Sequence, residues 1–290
     1  MGKGKRLREA RVSAPVLVSQ ESGVTELWFY IIRYVAIATM LIDHLGRALF
    51  LTGKIGATPY LVCYVIGRMA FPLFVFELVE SLYVTKRKGK HLLQIGIIAL
   101  VSEIPFDMVS TAPDPPNFSI DVLSIQNVCF TLFLGFLMIL ATNKADGLLS
   151  RLLNKHTFIT RALSIFVRVL FAIAFGLIAY VIKAEYSWYG IVLIALFDFA
   201  RTSRFVKFWQ GVAMAWMGAV YGAVYILLIP LIASLVLIYV AEIRSKQPTV
   251  EGKPSPLTSK TSKRFCRVFY PVHLAVLGTF RALLAGWRLW

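Results

Sequence analysis

The stretch that decides the fold runs from Tyr34 to Phe76. Two apolar segments, YVAIATMLIDHLGRALF and YLVCYVIGRMAFPLFVF, flank the short connection LTGKIGATP, and they are expected to face each other as helices. Between them they carry Asp43, His44, Arg47 and Arg68. An ionisable side chain in hydrocarbon costs a few kcal/mol or more, so it persists mainly where it faces protein, water or a ligand. We therefore expect the chemistry of this protein in this pair of helices.

Hydropathy extends the same pattern over almost the whole chain. Of its 290 residues 58% are hydrophobic, the mean hydropathy is +0.71, and apolar runs recur from residue 27 nearly to the end. Backbone amides in a bilayer must be satisfied within the segment, so these runs predict helices. The fold class is thus an all-α, polytopic integral membrane helical bundle. About nine transmembrane helices are predicted, at roughly 27–51, 59–83, 91–109, 123–142, 162–182, 187–200, 208–222, 224–240 and 266–284.

The basic residues give the orientation and the domain organisation. Most of the 31 lysines and arginines fall on one side of a nine-helix topology, which places the N-terminus inside and the C-terminus outside. Residues 1–26 are then a basic cytoplasmic tail, and residues 27–284 form one transmembrane domain. Within that domain, the Pro/Ser/Lys-rich stretch 241–265 is predicted to be a flexible cytoplasmic loop.

Several function classes are disfavoured by the same composition. The net charge of +16 lies in clusters between apolar segments, as topology signals do, so it does not indicate nucleic-acid binding. The three cysteines show no CxxC spacing and imply neither a disulfide framework nor a metal site. Trp188, Tyr189 and most other aromatic residues are interpreted as interfacial belt or packing.

Buried polar groups converge on one level in the outer half of the bilayer. At a rise of ~1.5 Å per residue, His44 and Arg68 fall at similar depth in the bilayer. Polar residues from four predicted helices lie at this level: His44, Arg68, Ser102, Glu103, Asp107, Gln126 and Asn127. Two interpretations of Asp43 stay open. It could form a structural ion pair with Arg47 or Arg68, or it could take part in catalysis. An imidazole beside carboxylates at this depth could be a general base, or it could make a structural interhelical hydrogen bond.

A second, weaker polar level is predicted near the cytoplasm. It consists of Arg168 in the fifth apolar segment and His273 in the ninth. An arginine there could hold a phosphate or pyrophosphate that enters from the cytosol, or it could be an arginine that snorkels to the interface.

Five motifs in this order resemble the TraX family of membrane proteins. They are MLIDHLGR at 40–47, IGRMAFPLFVF at 66–76, NVCFTLFLGF at 127–136, YSWYGIVLI at 186–194 and FYPVHLAVLG at 269–278. The family is named for the conjugative protein that acetylates the N-terminus of F-type pilin, and it looks related to transmembrane acyltransferases that use a membrane-embedded histidine. By position, the resemblance marks Asp43, His44, Arg68, Asn127 and His273.

The resemblance implies an integral membrane acetyltransferase in the bacterial cytoplasmic (inner) membrane, with acetyl-CoA as the donor. Its acceptor would be a pilin peptide, a glycan or a lipid at the outer side. His44 would be the general base, oriented by a carboxylate such as Glu103 or Asp107. The tetrahedral oxyanion would be stabilised by Arg68, Asn127 or Arg47.

Binding of the acyl-CoA donor is expected to involve Arg168, His273 and Arg47. Two alternatives stay open at the level of sequence. Buried Asp, His and Arg also mark transporters or permeases, although no internal repeat is present. A non-catalytic assembly factor for a pilus or another surface structure would use the same groups only structurally.

Overall fold

The computed structural model describes residues 26–110, 125–153, 158–202, 206–220, 224–245 and 260–284. Ten α-helices make up these ranges: α1 Glu26–Leu51, α2 Ala57–Gly67, α3 Ala70–Val84, α4 Lys88–Ser110, α5 Val128–Leu152, α6 Phe158–Val181, α7 Ser187–Thr202, α8 Val206–Val220, α9 Val224–Ser245 and α10 Lys260–Leu284. No β-strand occurs in them, and one isolated bridge joins Gln126 to Ala184. The predicted all-α class is confirmed for this part of the chain.

Five segments of the described residues are long and apolar enough to cross a membrane. They are Leu27–Leu51, Ala57–Val84, Lys88–Ser110, Val128–Leu152 and Phe158–Val181, and a shorter apolar helix covers Leu228–Ile243. The protein is thus a helical membrane protein. Each of the nine predicted apolar segments is largely helical where the structure describes it, but the count of nine crossings and the inside N-terminus stay predictions.

The helices do not end where the predicted spans end. The fifth helix, α5, runs on to Leu152 where its apolar run predicts an end near 142, and α10 begins at Lys260, ahead of the predicted 266. Hydropathy marks where hydrocarbon ends, whereas a helix continues while its backbone hydrogen bonds continue. Nearly all of the predicted tail 1–26 and most of the predicted loop 241–265 lie outside the described residues.

The predicted second span is interrupted at Arg68. It consists of α2 and α3, with Arg68 and Met69 in a turn between them. Pro72 lies in the first turn of α3 and has no backbone N–H, so it cannot bond back to the Arg68 carbonyl. The sequence around this proline therefore accounts for the break, and the break sets a charged side chain among the helices.

The core lies where α3, α5 and α7 pack together. Its largest fully buried side chains include Phe71 and Leu73 on α3, Phe136 on α5, and Ile191 and Ile194 on α7. By contrast, α6 leaves most of its apolar side chains exposed, as a helix on the lipid-facing side of a bundle does. The last helix, α10, packs along α4 and also contacts α1.

Two glycines allow α1 and α2 to approach closely. A Cβ added at Gly46 would overlap the Cys63 side chain, and one added at Gly67 would overlap the Asp43 side chain. Small residues at such crossings let helices in a membrane pack closely, which is the main source of association there. The position of α1 against α2 therefore depends on the absence of these two side chains.

Gly46→Ala is expected to destabilise the protein by ~1–3 kcal/mol, because the added methyl group must push α1 and α2 apart. The measurement is reversible unfolding of the purified protein in mixed micelles. Gly147→Ala is the matched control, since no atom lies within 4 Å of the Cβ position at Gly147 of α5. Equal stability of the two variants would contradict the close packing of α1 on α2.

Candidate functional site

Two histidines from distant parts of the chain form the centre of the site. The Nδ1 of His44 on α1 lies 2.9 Å from the Nε2 of His273 on α10, and both residues are buried. Their rings are nearly coplanar, with an angle of 9° and centroids 5.2 Å apart. Phe269 stacks on the His273 ring at 4.6 Å and helps to fix its orientation. His273 was predicted at a separate cytoplasmic level, and this placement is wrong.

Hydrogen bonds assign the protons of the histidine pair. The Nδ1 of His273 lies 2.9 Å from the Phe269 carbonyl oxygen, which can only accept, so this nitrogen carries a proton. In the neutral ring Nε2 then holds the lone pair, and it accepts from the Nδ1–H of His44. The remaining lone pair of the dyad therefore belongs to Nε2 of His44. A ring nitrogen arranged in this way is a general base.

An ion pair adjoins the histidines. A guanidinium nitrogen of Arg68 donates to Asp43 Oδ2 at 2.6 Å, so of the two partners considered for Asp43 the structure selects Arg68. The Arg68 guanidinium also lies 4.2 Å from the Tyr64 ring centroid, in cation–π geometry. Gly67, the residue before Arg68, leaves the space that the Asp43 side chain occupies. Arg68 is thus held by an anion and an aromatic ring beside the dyad.

Glu103 and Asn127 contact each other, and neither hydrogen-bonds to His44 or His273. The Asn127 Nδ2 donates to Glu103 Oε2 at 2.5 Å and to the Ala99 carbonyl oxygen at 2.8 Å, and the Asn127 Oδ1 accepts from the Cys129 N–H as the cap of α5. Both amide protons are therefore in use, so Asn127 has no donor left for an oxyanion. The expectation that Glu103 or Asp107 orients His44 is wrong, because His273 takes that position. Asp107 is fully buried.

Arg168 lies in a different cluster, on α6. Its guanidinium donates to Asp146 at 2.5 Å and to Asp198 at 2.8 Å, and Asp198 also accepts from the Tyr83 hydroxyl at 2.6 Å. Two carboxylates already compensate the arginine, and this cluster fixes α5, α6 and α7 to α3. Arg168 and His273, which were predicted to share one polar level, therefore belong to two different clusters.

Three cavities near His44 share lining residues with one another. The "tyrosine cavity", of about 440 Å³, is lined among others by Asp43, Arg47, Tyr60, Tyr64, Arg68 and Glu185. The "histidine cavity", of about 20 Å³, shares Asp43, Glu185 and Tyr186 with it and contains His44. The "arginine cavity", of about 170 Å³, shares Met40, Phe74 and Val128 with the histidine cavity and is lined further on by Arg33, His91 and Arg267.

The loop between α6 and α7 supplies site residues that sequence reasoning missed. Lys183, Tyr186 and Ser187 have positive φ values of 55°, 66° and 40°, a conformation that costs energy for residues other than glycine. Hydrogen bonds hold the loop, from the Gln126 N–H to the Lys183 carbonyl at 3.0 Å and from the Glu185 N–H to the Gln126 carbonyl at 2.7 Å. The sequence signal for this loop was the motif YSWYGIVLI, but its aromatic residues are interpreted above as an interfacial belt or as packing.

Tyr270 is the other residue that sequence reasoning missed. It lines the arginine cavity one turn from His273, and its buried hydroxyl has no hydrogen-bond partner among the described residues. A buried hydroxyl without a partner costs free energy, so it is a group that a ligand can satisfy. The motif FYPVHL that contains Tyr270 was noted only for its histidine.

No group of three or more His, Cys, Asp or Glu side chains in the described ranges is arranged to hold a metal ion.

Comparison with known proteins gives one result for the whole chain. The family described as TraX protein matches residues 30–281, a range that contains every site residue described above. No curated protein and no solved structure shows significant similarity to this chain.

Glu185 makes the stability of the folded protein depend on pH. Partial burial raises the pKa of its carboxyl group above the usual value, and the nearby guanidinium groups of Arg68 and Arg47 oppose this shift only in part. A carboxyl group with a raised pKa holds its proton more tightly in the folded state, so stability is full below the ordinary pKa and is lost as pH rises through the folded pKa.

We expect Glu185→Gln to remove this loss of stability. The thermal unfolding midpoint of the wild-type protein in nanodiscs, measured from about pH 4 to about pH 8, should fall relative to that of the variant as pH rises. Parallel curves for the two proteins would show that Glu185 is not buried as described.

Proposed function

This chain belongs to the TraX family, and we propose that it is an integral membrane acetyltransferase. It would transfer an acetyl group from cytosolic acetyl-CoA to an amine or hydroxyl group at the outer side of the bacterial inner membrane. The observation that carries the proposal is the position of the His44–His273 dyad, where two larger cavities approach each other through the histidine cavity. A base between two access routes suits a transfer between substrates from opposite sides.

The reaction uses the lone pair on Nε2 of His44. The acceptor attacks the thioester carbonyl carbon while its proton passes to His44, and the resulting charge is shared with His273 through their hydrogen bond. The tetrahedral intermediate then expels the CoA thiolate, which takes up that proton. The products are the acetylated acceptor and CoA thiol, and His44 returns to its starting state.

Arg68 is the group best suited to stabilise the oxyanion. It lines the tyrosine cavity, is nine-tenths buried, and is held by Asp43 and Tyr64, so little reorganisation is needed as negative charge develops. Arg47 lines the same cavity and could add to this field. Asp43 is then a positioning residue that keeps the Arg68 guanidinium in place.

For the donor we favour the arginine cavity over Arg168. Arg267 lines it and is exposed at the first turns of α10, where it could contact the CoA phosphates. Tyr270 also lines this cavity, and its hydroxyl could hydrogen-bond to the amides of the pantetheine arm. Arg168, by contrast, already has its charge compensated by Asp146 and Asp198.

The first test is His44→Gln, which retains an amide that can hydrogen-bond to His273 but cannot accept a proton. Turnover of labelled acetyl-CoA with membrane extract should fall by ~10²–10⁴-fold, while the protein stays folded and inserted. His273→Gln should lower kcat by a smaller factor and leave KM for acetyl-CoA nearly unchanged, as expected of a positioning residue.

Near-wild-type turnover in His44→Gln would remove this residue from the mechanism. If the wild-type protein neither binds nor consumes acetyl-CoA, the enzyme proposal fails and the permease or assembly-factor interpretations gain support. The folding control is the thermal unfolding midpoint of each variant.

The second test concerns sidedness. With the predicted topology, the arginine cavity opens towards the cytoplasm and the tyrosine cavity towards the outside. Sealed, oriented vesicles with acetyl-CoA confined to the cytoplasmic side and acceptor extract to the other are expected to form acetylated product. Product formed only when both substrates are on the cytoplasmic side would contradict transfer through the membrane.

A further inference from the structure

The histidine cavity is far smaller than the two cavities beside it. Its volume is about 20 Å³, against about 170 Å³ for the arginine cavity and about 440 Å³ for the tyrosine cavity. A cavity needs ~10–15 Å³ of such space to hold one water molecule. The histidine cavity therefore has room for only about one or two groups of the size of a water molecule or a methyl group.

Chemistry at His44 has to take place in this small space. Among the three cavities, only the histidine cavity is lined by His44. A general base acts within ~2.6–3.2 Å of the atom whose proton it removes, and in the proposed reaction that atom bonds to the acyl carbon. The acyl carbon and the first atoms of its chain would therefore lie close to His44, inside the histidine cavity.

Apolar side chains form much of the wall around this space. Met40, Phe74 and Val128 line both the arginine and the histidine cavities, so they stand between the proposed donor site and the base. Ala70 and Phe71 of α3 line the histidine cavity as well. Such a wall is compatible with the hydrocarbon of an acyl chain. The available space, and not the polarity of the wall, therefore limits the length of the chain.

Contacts on the other sides keep the space from widening. The Phe71 ring stacks on the Tyr186 ring with 3.7 Å between the centroids. A Cβ added at Gly190 would lie 3.1 Å from the Phe71 ring and 2.7 Å from the Tyr186 Cβ, so α7 packs tightly behind this stack. Asp43, also in the wall, is held by Arg68. Close-packed interiors yield little, and even one additional methylene group is felt.

We propose that the histidine cavity selects the acyl group by its length, with Met40 and Phe74 as specificity-determining residues. It admits the methyl group of an acetyl thioester and excludes longer chains, because each further methylene group would have to displace a packed side chain. The proposal rests on the acetyltransferase function proposed above and names what restricts its donor to acetyl-CoA. The acetyl carbon would bond to the acceptor as its bond to the CoA sulfur breaks, and the proton of the acceptor would pass through His44 to the thiolate.

Equilibrium binding without an acceptor tests the cavity independently of the reaction. Free CoA, acetyl-CoA, propionyl-CoA and butyryl-CoA are titrated onto the full-length protein in nanodiscs, and the dissociation constants are measured by calorimetry. We expect butyryl-CoA to bind at least ~10-fold more weakly than acetyl-CoA, since one methylene group in an apolar pocket is worth a factor of ~10–200. Propionyl-CoA should lie between the two.

Variants that enlarge the cavity locate the selectivity. Met40→Ala and Phe74→Leu should each bring the affinity for butyryl-CoA close to that for acetyl-CoA. The matched controls are Met138→Ala and Phe76→Leu, the same substitutions at buried residues that line none of the three cavities. Both controls should keep the wild-type ratio of affinities. Because each ratio compares two ligands on one preparation, a smaller folded fraction in a variant does not change it.

Equal affinities of the wild-type protein for acetyl-CoA and butyryl-CoA would overturn the proposal, and so would a preference that both enlarging variants retain or that a control loses. Transfer of labelled acyl groups to membrane extract then separates this inference from the function beneath it. Length-selective binding without transfer would contradict the enzyme proposal and leave the selective cavity intact. Transfer of acetyl and butyryl groups with similar kcat/KM would support the enzyme and refute selection by length. No binding of any acyl-CoA would refute both.

Discussion

A charge buried between membrane helices must be paired, and the Asp43–Arg68 pair is the interaction on which the rest of the site depends. Arg68 is placed there because the helix breaks before Pro72, and Asp43 can reach it because Gly67 has no side chain. The pair joins α1 to the α2–α3 break. It thereby fixes the helix turn that carries His44, the next residue along the chain.

Three other buried charge clusters of the described helices are compensated and serve a different purpose. Arg33 pairs with Glu77, Arg201 pairs with Glu80, and Arg168 bridges two aspartates. Breaking such pairs leaves an uncompensated charge, so they specify which helices lie side by side. The His44–His273 dyad differs because its hydrogen bond joins two imidazoles, which can share one proton. This contrast separates the groups that hold the bundle from the groups that can react.

The proposed chemistry follows from where the cavities meet. In the proposed reaction, a donor with several phosphates would stay at an aqueous surface and the acceptor would approach from the opposite one, so the reactive base would have to lie between them. The narrow histidine cavity, which contains His44 and adjoins both larger cavities, has this position. Glu185 and Tyr186 line both the histidine and the tyrosine cavities, so the strained loop that carries them forms part of the wall of each.

The sequence by itself determined the helical membrane class, the helix pair that carries the site, and Asp43, His44 and Arg68 as its members. The hydrocarbon core of the bilayer imposes these features. Backbone segments within it must be helical, and a charged side chain there costs so much free energy that it usually has a function or a partner. Only the tertiary structure decided that His273, 229 positions away, is the partner of His44, that Glu103 belongs to Asn127, and that the loop of Glu185 joins the site. Each of these contacts depends on the rotation and depth of one helix against another. Packing across the whole bundle fixes that geometry, and the pattern within a single segment does not.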